Sequence, residues 1–271
     1  MPYAVNAGIR TYYAVSGEGA PLVLLHANPF DRNNWLYQTA RFSTYFKVLA
    51  VDIRGFGLSD KPTRPSDTKE LIDDVVAVCR QEGATQAIVG GISVGATMAQ
   101  LLALDHPDLV RGLILVGGSS GPKAKWKYDG RVGGYEKGGV AGYHVVHLTS
   151  CVTPGFAASP LGKYLIGHFV ERDPTLDTAA VIEILKARGR MDATPRLGDI
   201  RVPTLVINGE HDSSLGGGTM TASLVPGAIH KVLPGLGHCC NLEDPAAFDA
   251  VVMSFLREKG LLPSSPRPSP P

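Results

Sequence analysis

Three short segments of this 271-residue chain carry side chains that together could perform nucleophilic catalysis. Residues 91–95, GISVG, match G-x-S-x-G, in which glycines flank a serine on a sharp turn from a strand into a helix. A serine hydroxyl is a poor nucleophile until a histidine accepts its proton, and a carboxylate fixes the tautomer of that histidine. We therefore predict Ser93 as the nucleophile, His238 as the general base and Asp212 as the acid that orients it.

The G-x-S-x-G pattern is short, and it occurs twice in a chain with 32 glycines. The second copy, at residues 117–121, precedes Pro122 and a lysine-rich stretch. The first copy follows the apolar run at residues 86–91 and precedes a helical pattern at residues 96–106. Only Ser93 therefore has the strand before it and the helix after it that the motif requires.

The predicted acid and base both follow apolar runs. Asp212 ends the segment NGEHD at residues 208–212, and Glu210 is a rival acid in the same segment. His238 follows the apolar stretch at residues 231–236. Taken singly, the aspartate could be a helix cap and the histidine a structural residue. We favour Asp212 and His238 because both lie where strand ends would bring them to the sheet edge that carries the serine.

Acyl transfer also needs hydrogen-bond donors for the negative charge that develops on the carbonyl oxygen. We predict that one donor is the backbone N–H of Val94, which follows the nucleophile directly. The second is predicted to be the N–H of Asn28, in the loop HANPF at residues 26–30.

The rest of the chain alternates short apolar runs with helical patterns. Parallel strands that are buried on both faces read as continuous apolar runs, so the alternation predicts a doubly wound α/β fold with a mostly parallel sheet flanked by helices. The opening segment, Tyr3 to Val15, is predicted to be an antiparallel edge hairpin. The predicted strands are 21–26, 47–52, 86–91, 112–118 and 203–209, and the predicted helices are 68–81, 96–106, 178–188 and 245–259.

Between residues 119 and 203 this alternation lapses, and the segment is rich in glycine, aromatic residues and lysine. We predict that 119–203 is an inserted helical cap on a core formed by 1–118 and 204–262, and that 263–271 is an extended proline-rich tail. The cap aromatics are expected to line a pocket or to pack the core of the cap itself. They are Trp126, Tyr128, Tyr135, Tyr143, Phe156, Tyr164 and Phe169.

Composition restricts the partners and the compartment. The chain is 44% hydrophobic with a net charge of +1, so it lacks the basicity that drives binding to phosphates, and we expect no nucleic acid partner. Its four cysteines have no metal-binding spacing, and the N-terminus has no signal-peptide pattern, which favours a cytoplasmic protein. The uncharged stretch 83–104 is long enough to span a membrane, but its glycines predict a strand, a turn and a helix instead.

These residues resemble the α/β-hydrolase superfamily, in the branch of esterases, lactonases and C–C bond hydrolases. The resemblance rests on HANPF at 26–30, DIRGFGLSD at 52–60, the turn at Ser93, NGEHD at 208–212 and GHCCNLEDP at 237–245. The order serine, acid, histidine along the chain is the order of that family. Together the segments cover most of the chain.

The resemblance implies hydrolysis of a small-molecule ester or lactone through an acyl-enzyme, with no metal or organic cofactor and no membrane partner. Ala27 stands where the family usually has glycine, and Ser93 stands where similar haloalkane dehalogenases and epoxide hydrolases carry aspartate, which disfavours those two activities. Two alternatives stay open. One is C–C bond hydrolysis of a vinylogous diketone, and the other is a signalling or ligand-binding protein that keeps the triad.

Overall fold

The structure is a computed structural model that describes residues 2–62, 64–121 and 125–263, with the backbone alone for 125–129 and 173. In these residues eight strands form one sheet in the order β1-β2-β4-β3-β5-β6-β7-β8. They are β1 (Tyr3–Asn6), β2 (Ile9–Ser16), β3 (Pro21–Leu25), β4 (Lys47–Val51), β5 (Ala87–Ile92), β6 (Val110–Val116), β7 (Thr204–Gly209) and β8 (Ile229–Leu233). Pairing is antiparallel from β1 to β2 and from β2 to β4, and parallel elsewhere. The mostly parallel sheet and its edge hairpin are confirmed.

Several of the helices begin after residues whose side chains accept from first-turn amides. The Asp67 carboxylate accepts the Glu70 N–H at 2.7 Å, and the Glu70 carboxylate accepts the Asp67 N–H at 3.1 Å, so a capping box starts the second helix where it was predicted. The α-helices are α1 (Leu36–Phe42), α2 (Thr68–Gln81), α3 (Val94–Asp105), α4 (Lys125–Thr149), α5 (Pro154–Ala158), α6 (Pro160–Val170), α7 (Thr178–Arg190), α8 (Leu215–Leu224), α9 (Cys240–Glu243) and α10 (Pro245–Glu258).

Both faces of the sheet are covered by helices, which explains the continuous apolar runs. Along β3, Val23 and Leu25 point into an apolar cluster that includes residues of α2 and α3. Leu22 and Leu24 point into a second cluster that includes Phe248 of α10. Successive side chains of a strand alternate between faces, so a strand covered on both sides needs an apolar residue at every position.

The parallel register aligns the carboxyl ends of the central strands. Leu25 pairs with Gly91, and Val116 pairs with both Ile92 and Ile207. Strand order reverses at β3, which lies between β4 and β5. In doubly wound sheets ligands bind outside the carboxyl ends of strands at such a reversal. The loops after β3, β5, β7 and β8 therefore emerge where a site is expected.

The helices α4 to α7 lie between β6 and β7, in the part of the chain predicted to be a cap, and we call residues 119–203 the inserted segment. The predicted helix at 178–188 is confirmed as α7. The sequence did not predict α4, because its many glycines lower helix propensity. Its backbone leaves the helical conformation at Gly139 (φ 60°, ψ −169°), so α4 consists of two helical pieces. The Tyr135 and Tyr143 rings lie 5.0 Å apart, edge to face, within α4, and the helix is stabilised by packing against α6 and α7.

The uncharged stretch 83–104 divides into β5 and α3, as predicted. Within the described ranges, no helix combines the length and the apolar character needed to cross a membrane. All four cysteines are buried free thiols. The predicted tail at 263–271 lies outside the described residues except for Pro263, and so do the side chains of Trp126 and Tyr128.

Candidate active site

Ser93 lies on a sharp turn between the last residue of β5 and the first residue of α3. Its backbone has φ 55° and ψ −110°, a conformation that residues other than glycine rarely adopt. The Ser93 N–H donates to the Val116 carbonyl at 2.9 Å, which extends the β5–β6 ladder to the turn. Strain of this kind persists only where the surroundings enforce it, and it is concentrated at functional sites.

The glycines of the motif allow the turn to pack against its neighbours. A Cβ atom on Gly91 would lie 2.2 Å from the Gly95 carbonyl oxygen, and one on Gly95 would lie 2.4 Å from the Leu25 carbonyl oxygen. Real Cβ atoms do not approach oxygen so closely, so β5, α3 and β3 can meet only with glycine at both positions. The rival serine, Ser119, is engaged differently, because its hydroxyl accepts from the Arg188 guanidinium at 2.9 Å.

Asp212 follows β7 and is almost completely buried. Its carboxylate accepts hydrogen bonds from His238 Nδ1–H at 2.8 Å, from the Ser214 N–H at 2.8 Å and from the Asn208 amide at 2.9 Å. Burial alone would raise the pKa of Asp212, but the adjacent His238 and these donors outweigh it and lower the pKa below its usual range. Asp212 is therefore a carboxylate at neutral pH.

The rival acid, Glu210, points away from the histidine. It is exposed, and its carboxylate accepts the Gly235 N–H at 2.8 Å. Asp212, by contrast, contacts His238 directly. Asn208 and Ser214, which sequence analysis did not identify, support Asp212. Asn208 begins NGEHD and Ser214 follows it by two positions, yet their contact with Asp212 depends on how the loop turns.

His238 follows β8 and is partly buried, with 12% of its side chain exposed. Because Nδ1 carries the proton that is donated to Asp212, the neutral ring has its lone pair on Nε2, the nitrogen that can accept a proton. This is the tautomer that a general base needs.

Ser93 and His238 both lie near the loop that follows β6. A Cβ atom on Gly117 would lie 2.8 Å from His238 Nδ1, and one on Gly118 would lie 3.8 Å from the Ser93 carbonyl oxygen. No hydrogen bond joins the Ser93 hydroxyl to His238 in the structure. The structure thus brings the predicted acid and base into contact, and it places the predicted nucleophile at the end of β5, which β6 separates from β7.

The two predicted oxyanion donors flank the turn at Ser93. Val94 is the first residue of α3, where helix amides have no partner within the helix. Asn28 lies after β3; the amides on either side, of Ala27 and Phe30, donate to Asn34 Oδ1 and to the Ala27 carbonyl, whereas the Asn28 N–H has no acceptor among the described residues. Both predicted amides are therefore available as donors.

A further carboxylate joins the histidine loop to the inserted segment. Glu243, in α9, accepts the Gly237 N–H at 2.7 Å through one oxygen. Its other oxygen accepts the Thr153 hydroxyl at 2.6 Å and the Thr153 N–H at 3.1 Å. Gly237 directly precedes His238, so Glu243 helps to determine where the histidine lies. Sequence analysis missed this residue because its partner Thr153 is 90 positions away.

A cleft of about 410 Å³ lies beside His238, between the loops after β7 and β8 and the inserted segment. Of the predicted cap aromatics, Phe169 reaches the site, because its ring packs edge to face on Phe30 of the loop after β3 at 4.8 Å. Tyr135 is buried within the inserted segment, whereas Tyr164 is 70% exposed. In the ranges that the structure describes, no group of three or more His, Cys, Asp or Glu residues is placed to hold a metal ion.

The comparison with known proteins agrees with this geometry. A family model described as the alpha/beta hydrolase family matches residues 22–251. Epoxide hydrolase 3 of Xenopus tropicalis is 26% identical over 95% of this chain and 77% of its own length. The 3-oxoadipate enol-lactonase 2 of Acinetobacter baylyi is 26% identical over 90% of this chain and 92% of its own length. The crystal structure of the enol-lactonase from Burkholderia xenovorans is similar with a TM-score of 0.88 and 25% identity, over 94% of this chain and all of that one. Because the family match spans most of the residues and the structural match most of the fold, this chain belongs to the alpha/beta hydrolase family.

Proposed function

We propose that this protein is a serine hydrolase that cleaves a small carboxylic ester or lactone through an acyl-enzyme, with Ser93, His238 and Asp212 as its triad. The observation that carries the proposal is the 2.8 Å hydrogen bond from His238 Nδ1–H to the buried Asp212 carboxylate, at the same edge of the sheet as a serine on a strained turn. A carboxylate in this position stabilises the imidazolium that forms when the histidine accepts a proton.

In the proposed reaction His238 Nε2 takes the hydroxyl proton of Ser93 as the serine oxygen attacks the substrate carbonyl carbon. The N–H groups of Val94 and Asn28 donate to the resulting oxyanion. The imidazolium then protonates the leaving alkoxide, which departs and leaves an acyl group on the serine. A water molecule then loses a proton to the same nitrogen and attacks the acyl carbon, and the imidazolium returns that proton to the Ser93 oxygen as the acid is released. A hydrogen bond between nucleophile and base often tightens only in the substrate complex, so the absence of a Ser93–His238 hydrogen bond in this structure is compatible with the mechanism.

The residue on the turn at Ser93 favours a lactone or an ester over an epoxide. The relatives include an epoxide hydrolase and an enol-lactonase at similar identity, so similarity alone does not choose between these reactions. The residue on the turn is a serine, which suits attack on a carbonyl, whereas the similar epoxide hydrolases carry aspartate there. We therefore propose that the reaction of this protein is closer to that of the enol-lactonase than to that of the epoxide hydrolase.

The test is turnover of p-nitrophenyl esters and of lactones of graded chain length. We expect rapid hydrolysis of at least one short substrate, an acyl group on the Ser93 peptide by mass spectrometry, and loss of turnover in Ser93→Ala. Ser119→Ala is the matched control, since it removes the other serine within a G-x-S-x-G pattern and should keep turnover. Turnover that survives Ser93→Ala would refute the proposal.

The same measurements separate the alternatives. Slow single turnover with retained ligand binding would favour a signalling or ligand-binding protein. Hydrolysis of a vinylogous diketone, with no ester or lactone cleaved, would favour a C–C bond hydrolase. Each outcome contradicts the ester or lactone proposal.

A further inference from the structure

The cleft beside His238 has a lining that suits a small anion. At one end lie His211, Ser213 and His238, and at the other lie Arg131 of α4 and the segment from Ser150 to Gly155. The lining contains an arginine, hydroxyl groups and two histidines, and none of its residues within the described ranges is acidic. The full positive charge of this lining therefore belongs to the inserted segment.

Arg131 provides the positive charge of the cleft lining. It is partly buried, and it makes no ion pair with any part of the chain that the structure describes. Asp212 and Glu243, the carboxylates behind the cleft, are engaged by the histidine loop and by Thr153. A partly desolvated guanidinium gains most from a carboxylate, which its planar fork can bind through two parallel hydrogen bonds.

We propose that Arg131 binds a free carboxylate of the substrate, so that this enzyme acts on esters or lactones that carry a second, ionised acid group. The inference rests on the proposed function, because it assumes that the scissile carbonyl lies at Ser93 and that the rest of the molecule extends past His238 into the cleft. A carboxylate fits better than a phosphate dianion, since the lining offers one full positive charge together with neutral donors.

The probes are methyl half-esters of succinic, glutaric and adipic acids. Each is paired with the methyl ester of the corresponding mono-amide, in which a neutral amide of nearly equal size replaces the carboxylate. The quantity measured is the ratio of kcat/KM for the acid to kcat/KM for the amide. For at least one chain length we expect the wild-type ratio to exceed about ten, because a hydrogen-bonded charged pair is worth at least a factor of that size.

The variants test whether Arg131 is the source of that ratio. Arg131→Gln should bring the ratio close to one, and Arg131→Lys should retain part of it, since it keeps the charge and loses the fork. Arg257→Gln is the matched control, because this exposed arginine of α10 does not line the cleft. Its ratio should equal that of the wild type.

A wild-type ratio near one at all three lengths, or a ratio that Arg131→Gln leaves unchanged, would overturn the inference while leaving the hydrolase proposal intact. If none of the six esters is hydrolysed, and no other ester or lactone is, the hydrolase proposal fails instead. In that case the carboxylate site is tested by the melting temperature in millimolar glutarate. Glutarate should raise the melting temperature of the wild type and of Arg257→Gln but not that of Arg131→Gln. An equal rise in all three proteins would rule out a carboxylate site at Arg131.

Discussion

The catalytic loops, which carry Ser93, Asp212 and His238, and the inserted segment meet at one edge of the sheet but are held there differently. Main-chain hydrogen bonds hold the loops, as where the Ser93 N–H donates to the neighbouring strand at 2.9 Å. The inserted segment is joined to these loops by a main-chain bond, from the Cys239 N–H to the Cys151 carbonyl at 2.8 Å, and by side chains: the Thr153 hydroxyl donates to Glu243 at 2.6 Å. A second such contact, from an arginine after α6 to Asp31, ties it to the loop after β3.

This difference predicts how the two regions respond to substitution. Main-chain hydrogen bonds do not depend on side-chain identity, so the catalytic loops keep their geometry unless a backbone position is blocked or a reacting group is removed. Side-chain contacts are lost with a single substitution. We expect changes in the loops to lower kcat or stability, and changes in the inserted segment to alter substrate binding.

The largest effect is expected from Asp212→Asn, which keeps the size of the side chain and removes its charge. An asparagine would favour the wrong histidine tautomer, and kcat should fall by roughly 10⁴. Glu210→Gln is the control, because Glu210 binds the Gly235 N–H instead of the histidine, and its kcat should stay close to that of the wild type. A large loss in Glu210→Gln, with Asp212→Asn active, would reverse the assignment of the acid.

The next largest effect is expected from Gly95→Val, which blocks a main-chain approach. Its Cβ would lie 2.4 Å from the Leu25 carbonyl oxygen, so α3 must shift away from β3. We expect a loss of about 1–3 kcal/mol in the free energy of unfolding, measured in urea, with most of the activity lost. Gly216→Ala is the control, since a Cβ there meets nothing within 4 Å. Full activity in Gly95→Val would show that the turn is not the nucleophile site.

Glu243→Gln should have an intermediate effect, because it removes the charge that joins the two regions. The amide cannot accept from both Gly237 and Thr153, so the free energy of unfolding should fall by about 1–3 kcal/mol. Because Glu243 positions His238, Glu243→Gln should also lower kcat when kcat is measured well below the melting temperature. The exposed Glu258→Gln should change neither quantity. A lowered melting temperature with unchanged kcat would assign Glu243 a structural role alone.

The buried charge of Asp212 should also appear in the pH dependence of stability. Its pKa is lower in the folded chain than the value of about 3.9 expected after unfolding. The carboxylate therefore stabilises the fold above that value, and this contribution is lost as the pH falls through the folded pKa. The difference in unfolding free energy between wild type and Asp212→Asn should shrink between pH 6 and pH 3. A constant difference would indicate that the carboxylate has an ordinary pKa.

The smallest effect is expected from Arg172→Gln, at the second contact between the two regions. The guanidinium binds Asp31 and is one-quarter exposed, so the loss in unfolding free energy should be at most about 1 kcal/mol. KM should change by a few-fold with kcat retained, as measured by steady-state kinetics. Arg196→Gln, at an exposed ion pair with Asp105, is the control. A tenfold loss of kcat in Arg172→Gln would show that this contact positions reacting groups.

Helices and strands whose signals lie within a few neighbouring residues were predicted correctly from the sequence. The helix at 68–81 was predicted with the bounds of α2, because its capping residues lie within four positions of its first turn. The strand before Ser93 and the helix after it were likewise readable from apolar periodicity. The helices of the inserted segment were harder to predict. The glycines of α4 lower its helix propensity, and the helix depends on packing.

The sequence by itself determined the layered sheet, the turn at Ser93 and the candidacy of Asp212 and His238, because those features depend on neighbouring residues and on strand ends. Only the tertiary structure decided that Asp212, and not Glu210, contacts the histidine, that Glu243 joins the histidine loop to the inserted segment, and that Arg131 faces the cleft. Each of these is a contact between side chains or loops brought together by the fold. Their partners are set by where the strands end in space, which no local pattern encodes.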